Sequence, residues 1–513
     1  MLASACTERE YIITGFRRGF RLGVDNTFDR SKRENVSRAS PPLMDKLQEE
    51  IQKHRIIGPF EKKPFRDLLT SPLHVIPKPE SKKMRMIFNL SYPTGHSVND
   101  HIKDTQKSVH YCSVMDVGHH LLEKFRPNGA WMAKVDLSDA YRLVPINQLD
   151  WRFLGIQMDG KYYIDRMLPM GAASSCRIFQ RFSDALKEIF LSQFKRASVF
   201  NYLDDFLFVA HSHADCEEAL QAFQGICDSL QVPIAAHKRV HAPRQIIFPG
   251  LGIDAENYTL YIPQEKGEKA KLKIMRFLGE SAPRVKSWQS IIGTLNHLSQ
   301  VVVSGRILLS SMYERLVGIL SQKKHLRRSI TRETRQDMES WLNLLHASLE
   351  RKFRVLATED SELPPLITDA STSRGFGAVW GTQWFVGRWP EHKTANIATL
   401  ELYPIFLALS LSQVEDATIL IYTDNQALVP VINKLYCKDA SLRKLMRPIV
   451  DLCLTKNVRL IASHISGKEN IGPDLLSRGK VAEFLHVFPQ MNARPVQISP
   501  YLTSFKLIDW KAN

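Results

Sequence analysis

The hexapeptide Asn201-Tyr-Leu-Asp-Asp-Phe206 sets two adjacent carboxylates between two apolar, β-prone runs, 198–203 and 206–210. Two such runs with so short a polar break between them describe a tight antiparallel hairpin, with Asp204 and Asp205 at its tip. Asp is common in turns, where its side chain points into water, so the motif alone reads more readily as a plain turn than as a catalytic pair. Upstream, Trp131–Val135 has the pattern of another strand, and it ends in Asp136. If that strand lies beside the hairpin, three carboxylates meet at one sheet edge and repel one another unless a cation neutralises them. Oxygen-only ligands select a hard ion, Mg²⁺ or alternatively Mn²⁺. Two such ions ~4 Å apart would clamp the attacking and leaving oxygens of an in-line phosphoryl displacement.

A second acidic series follows Pro364-Pro365. Leu366-Ile-Thr-Asp369 is a strand ending in a carboxylate, and 375–380 and 383–387 continue as two more strands. Glu401 falls in an apolar helix reaching about Leu411, and a strand over 418–422 delivers Asp424. Helices over 425–433 and 441–454, a strand over 458–462 and a last helix carrying Asp474 complete the segment. A lone Glu on an apolar helix face is costly unless it is paired or binds a metal; the alternative is a helix-edge Glu that reaches solvent.

The chain has 513 residues, too many for a single hydrophobic core. Its patterning divides it into an N-terminal helical segment (1–57), a mixed segment (58–260), a helical segment (261–360), the second mixed segment (361–480) and an extended, Pro-containing tail (481–513). Leu43, Leu47 and Ile51 recur every fourth residue after Pro41-Pro42, the spacing of an amphipathic helix. The net charge of +16 suits a polyanionic partner, although a merely soluble basic protein would carry it too. Between Ile262 and Asp360 there are 18 basic and 10 acidic residues, including Lys323, Lys324, Arg327 and Arg328. That cluster fits a nucleic-acid groove, a nuclear-import signal or a solvated helix face. Seven scattered cysteines without a C-x-x-C pair fit thiols in a reducing compartment, not a disulfide framework or a zinc knuckle. Residues 1–21 alternate apolar and charged positions, and no apolar run reaches the ~18 residues of a membrane span. An intracellular, soluble protein without a membrane partner is expected; nothing in the sequence bears on its oligomeric state.

Between the two Asp motifs lies Leu168-Pro-Met-Gly-Ala-Ala-Ser-Ser-Cys-Arg-Ile-Phe-Gln180. With Asp136-Leu-Ser-Asp-Ala-Tyr141 and Tyr202-Leu-Asp-Asp205, in this order and spacing, it resembles the palm of reverse transcriptases. The resemblance implies an α+β multidomain protein: a right-hand polymerase of fingers, palm and thumb/connection, followed by an RNase H-like α/β domain. It implies that Asp136, Asp204 and Asp205 hold two Mg²⁺ ions for primer extension. Lys78, in Ile76-Pro-Lys78, and Arg85 would hold the incoming triphosphate, and Lys238, after His237, would lie near the leaving pyrophosphate. Tyr141 would be the steric gate against a ribose 2′-OH, Gly171 would let the backbone approach the nucleotide, and Gln180 would contact the template strand or its helix neighbours. Phe248–Asp254 resembles the primer grip. Cys176 stands where many relatives carry Pro, Asn89 where many carry Asp, and Pro249 interrupts the usual apolar primer-grip strand.

The second segment resembles ribonuclease H, with Asp369, Glu401, Asp424 and Asp474 as four acids holding two further Mg²⁺ ions. Many cellular relatives carry a His in the loop before the last acid. Here Lys468-Glu469-Asn470 occupies that loop, and His464 ends the strand. Residues 85–100, Ser290–Arg306 and the block Leu442-Arg-Lys-Leu-Met-Arg447 resemble DIRS-like (tyrosine-recombinase) retrotransposons. Gypsy-type elements and pararetroviruses are the near alternatives. The implied partners are an RNA template, a DNA primer, the RNA–DNA hybrid and dNTPs. A decayed or domesticated copy that binds hybrids without catalysis is the competing reading, and the presence of all seven acids favours the enzyme.

Overall fold

The computed structural model describes residues 2–25, 35–77, 84–235, 239–319, 325–349, 351–356, 363–391, 393–502 and 505–512. They divide into two compact units, 1–112 with 130–249, and 113–129 with 250–513. This differs from the five segments expected from patterning. The helix Val114–Phe125 belongs to the second unit because Gly118 allows close contact: a Cβ there would lie 2.9 Å from Val355. No described helix is long and apolar enough to cross a membrane. Cys176, Cys216, Cys227, Cys437 and Cys453 are free thiols.

The first unit is built around a three-stranded antiparallel sheet, Trp131–Asp136, Asp205–Ala210 and Ala197–Tyr202, with Asp205–Ala210 in the middle. Phe206 to Ala210 are all buried, and Phe190 and Phe223 of two helices pack on the face that carries Phe206 and Phe208. The helix Ser175–Gln193 turns Ile178, Phe179, Phe182, Leu186 and Phe190 to the core, the i, i+3, i+4, i+7 spacing of one helix face. The helix His213–Ser229 starts at Ser212, whose side chain accepts from the Asp215 N–H, and sends Phe223 between Phe206 and Phe208 at ring separations of 4.7 and 5.2 Å. Beside this core lie the hairpin Leu73–Pro77/Met84–Phe88 and the sheet of Ile56–Phe60, Lys161–Asp165 and Gly155–Met158. The amphipathic helix expected around Leu43 spans Pro41–Gln52 and buries Leu43 and Leu47.

The second unit contains a five-stranded sheet in the order Gln383–Arg388, Gly375–Trp380, Leu366–Ala370, Thr418–Thr423, Arg459–His464. The first three strands are antiparallel, and the last two join the sheet in parallel. Helix Ile397–Leu411 is buried from Ala398 to Leu409, so Glu401 has no solvent-facing side on which to lie. Helices Gln264–Leu278, Val285–Leu298, Ser310–Leu316 and Arg332–Leu349 belong to the same unit.

The expectation of an extended tail after residue 480 is corrected. Helix Val481–Val487 buries Phe484 against Trp384, and Trp384 Nε1 donates to the Asn492 carbonyl at 2.7 Å. Further on, Phe505 meets Phe376, Trp389 and Tyr403, and Ile508 is buried. Scattered aromatics rather than a periodic stripe attach this segment, so patterning did not reveal it.

The block 442–447 also acquires a physical role. Arg443 is buried and makes two-pronged pairs with Glu314, at 2.8 and 3.1 Å, and with Glu333, at 2.8 and 3.0 Å. It also donates to the Cys437 and Lys438 carbonyls, and Arg447 pairs with Asp337 at 2.7 Å. Removing one partner of such a network strands the other charges. Arg443→Met should therefore cost about 2–4 kcal/mol, less than a fully enclosed pair because both glutamates keep some exposure. Chemical denaturation of the two proteins side by side checks this; equal stability would mean that water replaces the guanidinium without loss.

Candidate functional site

Strand pairing brings the first acids together. Asp136 lies directly opposite Asp205 in the antiparallel ladder. Tyr202 pairs with Asp205, so the hairpin turn consists of Leu203 and Asp204. The expectation that both aspartates sit at the tip is thus half corrected: Asp205 opens the second strand. Leu203 takes φ 53°, a left-handed conformation costly for a branched side chain, and three side chains of helix Ser175–Gln193 hold it there. Gln180 Oε1 accepts from the Leu203 N–H at 2.9 Å, Ser183 Oγ donates to the Leu203 carbonyl at 2.7 Å, and Asp184 accepts from both Gln180 and Asn201 at 2.8 Å. Of the two contacts expected for Gln180, the structure shows the one to its own helix, together with this grip on the turn.

Asp136 is buried, and Asp204 and Asp205 are half-buried. Burial and a hydrogen bond with Asp136 raise the Asp205 carboxyl to about 7, against the pull of Lys134; the charges of Asp136 and Asp204 add to the rise. Lys134 Nζ stands 3.6 Å from Asp205 and 3.9 Å from Asp136. Sequence reasoning missed this lysine. The two-residue period of the strand, which puts 134 and 136 on one face, was the available signal.

A cleft of about 1050 Å³ opens beside these acids, lined by Asp204, Tyr141, Arg85, Phe88 and Met170 among others. Arg85 is exposed on its strand. Gly171 has φ +141°, and a Cβ there would lie 2.0 Å from the Phe88 carbonyl oxygen, so the close approach that requires glycine is to the neighbouring strand. Lys78 and Lys238 lie outside the described residues, as do His237, Lys323 and Lys324.

In the second unit, carboxylate oxygens of Asp369, Glu401 and Asp424 all lie within 4.8 Å of one another. Burial, with the charges of Asp369 and Asp424, pushes Glu401 up to about 9. Burial, opposed by a Ser477 hydrogen bond and reinforced by Asp424 and Asp474, pushes Asp369 up to about 6. Glu401 Oε2 is buried and has no hydrogen-bond partner among the described residues. Asp474 stands outside the set of three and pairs with Arg478 at 2.7 Å. His464 is exposed at its strand end. An orphaned buried carboxylate oxygen among like charges is a cradle for a hard divalent cation. Asp136, Asp204 and Asp205 offer the same all-oxygen donor chemistry, although among the described residues only the second cluster closes into three oxygens within 4.8 Å of one another.

Residues 76–253 match the family model for reverse transcriptase (RNA-dependent DNA polymerase), and a reverse transcriptase domain therefore occupies this part of the chain. Among solved structures, the foamy viral protease-reverse transcriptase dRH in complex with ds DNA is similar at TM-score 0.46 and 15% identity, over 87% of this chain and 73% of that one. The foamy viral protease-reverse transcriptase with dsDNA gives TM-score 0.45 and 16% identity, over 87% of each chain. The same enzyme with an RNA/DNA hybrid gives TM-score 0.45 and 15% identity, over 86% of this chain and 56% of that one.

The second cluster yields a test that needs no catalysis. The folded state keeps protons on Glu401 and Asp369 that the unfolded chain releases at ordinary acid pH. Metal-free stability should therefore fall as pH rises from the ordinary Glu value of 4.5 toward about 9. Mg²⁺ competes with those protons, so the melting-temperature gain on adding it should be several degrees larger at pH 9 than at pH 6, and Glu401→Gln should shrink this difference. A gain independent of pH and of that substitution would show that the ion binds elsewhere.

Proposed function

We propose that the chain is an RNA-directed DNA polymerase fused to a ribonuclease H, of a DIRS-like retroelement. On this reading it extends a DNA primer on an RNA template and cleaves the RNA strand of the hybrid. The observation that carries the reading is the register of Asp136 opposite Asp205, with Asp204 in the adjoining turn, inside the segment that matches the reverse transcriptase family. Acids at this spacing suit two-metal phosphoryl transfer better than a solvated turn does, because burial holds Asp205 partly protonated until a cation replaces the proton.

Bound Mg²⁺, two ions per cluster with Mn²⁺ as the alternative, would supply Lewis-acid charge to the phosphate and ease deprotonation of the attacking hydroxyl or water. Asp136, Asp204 and Asp205 would hold the ions of the polymerase. Asp369, Glu401, Asp424 and Asp474 would hold those of the nuclease, with Asp474 drawn in from its pair with Arg478. Arg85 lines the cleft from its strand and, with Lys78 and Lys238, would neutralise the triphosphate. Tyr141 lines the same cleft and would reject a 2′-OH by occupying its space. The basic excess of the chain would hold the template–primer backbone.

Two substitutions separate the activities. Asp204→Asn should lower dNTP incorporation on an RNA template by at least ~10²–10³-fold while leaving hybrid binding intact, since it removes a metal ligand and no basic residue. Glu401→Gln should stop cleavage of the hybrid's RNA strand and leave primer extension within about twofold of wild type, because the clusters belong to different units. Primer-extension and hybrid-cleavage assays on the full chain read both. Extension at wild-type rate by Asp204→Asn would reduce the hairpin to a turn, and equal loss of both activities in Glu401→Gln would make Glu401 a structural acid.

A further inference from the structure

Tyr141 is held by more than packing. Its ring stacks on Phe179, with centroids 5.0 Å apart and planes 21° from parallel. Its hydroxyl donates to Cys176 Sγ at 3.3 Å. The Tyr111 hydroxyl reaches the same thiol. The Tyr111 ring in turn lies 4.7 Å from that of Tyr202, the residue that enters the Leu203-Asp204 turn. One sulfur thus joins the aromatic ring that lines the cleft to a tyrosine that leans on the acid-bearing hairpin. Cys176 is the second residue of helix Ser175–Gln193, the helix whose Gln180 and Ser183 grip that turn. Arg177, the next residue, ties the backbone before Tyr111 to the helix through the Ser108 carbonyl at 3.3 Å.

The two phenols behave as donors throughout the neutral range, because burial and the thiol beside them raise both well above the usual tyrosine range. Sulfur is a weak acceptor, so the bonds are soft, and they add a directional restraint to the stacking on Phe179. Phe179 fixes the face of the Tyr141 ring, and Cys176 fixes its far end. A proline at 176 would have no side-chain acceptor and could not do this.

We infer that Cys176 is a positioning residue for sugar selection, its thiol pinning the Tyr141 hydroxyl so that the ring stays where it excludes ribonucleotides. The inference rests on the polymerase reading and on Tyr141 as the gate, and its test separates the three. Single-nucleotide kcat/KM values for a matched dNTP and rNTP are measured on an RNA template for wild type, Cys176→Ala, Cys176→Ser, Tyr141→Phe, Tyr141→Ala and the Cys176→Ala/Tyr141→Phe double variant. Losing one hydrogen bond of this kind should raise the rNTP/dNTP ratio ~3- to 10-fold in Cys176→Ala. Tyr141→Phe should match it, and the double variant should add nothing further, because each single variant already removes the Tyr141–Cys176 bond, the one that holds the ring. Cys176→Ser retains an acceptor and should stay near the wild-type ratio, a rescue that simple loss of packing would not produce.

A Cys176→Ala variant that loses both nucleotides equally, with its ratio unchanged, overturns the inference, as does an additive double variant. Should Cys176→Ala fail to fold, an unchanged ratio in Tyr141→Phe overturns it in the same way. If Tyr141→Ala leaves the ratio at the wild-type value, Tyr141 is no gate, and the positioning role falls with it. Absence of extension by the wild-type chain overturns the polymerase reading itself.

Discussion

Carboxylates that the fold forces together and withdraws from water repel one another, and much of each unit is arranged to sustain that repulsion. An acid in such surroundings must be protonated, paired with a base or bound to a cation. Both clusters show the first response: Asp205 is raised to about 7 and Glu401 to about 9. The first cluster also shows the second, since Lys134 lies within 4 Å of both Asp136 and Asp205. The third response, a divalent ion, would relieve both clusters at once, and it is the one that gives them a chemistry.

Holding such groups in place takes structure. In the first unit, an apolar strand covered on both faces gives Asp205 a fixed register opposite Asp136, and a leucine in left-handed conformation sets Asp204 beside them. Gln180, Ser183 and Asp184 satisfy the polar groups around that turn. In the second unit, a helix buried along nearly its whole length carries Glu401 to the end of the strand that bears Asp369. Elements held by many apolar contacts can keep a strained, repulsive site because the cost is small beside the burial that fixes them.

Much of this was legible in the residues. The apolar, β-prone runs over 131–135 and 206–210 described strands, and the acids at their ends would meet at one sheet edge if those strands paired, as they do. The apolar surroundings of Glu401 marked it as an acid in need of a partner. Other features were hidden for physical reasons. The turn register depends on Leu203 accepting a conformation that leucine disfavours, so it could not be read from propensity. Helix Val114–Phe125 joins the second unit through contacts more than a hundred residues away in the chain. The segment after 480 packs through Phe484, Phe505 and Ile508, whose spacing follows no helix or strand period. The roles given to Tyr141, Gly171 and Arg85 came from resemblance. The structure adds that Tyr141 and Arg85 line one cleft and that Gly171 is pressed against Phe88.

The central claim is that each cluster is a metal site whose repulsion a divalent cation relieves. Anomalous diffraction from crystals of the full chain grown with Mn²⁺, primer, RNA template and dNTP tests it without reference to rates. The account requires manganese peaks within bonding distance of Asp136 and Asp205 in the first unit and of Asp369, Glu401 and Asp424 in the second. Crystals whose only manganese lies at surface carboxylates, with both clusters empty and Lys134 still beside Asp136 and Asp205, would contradict it.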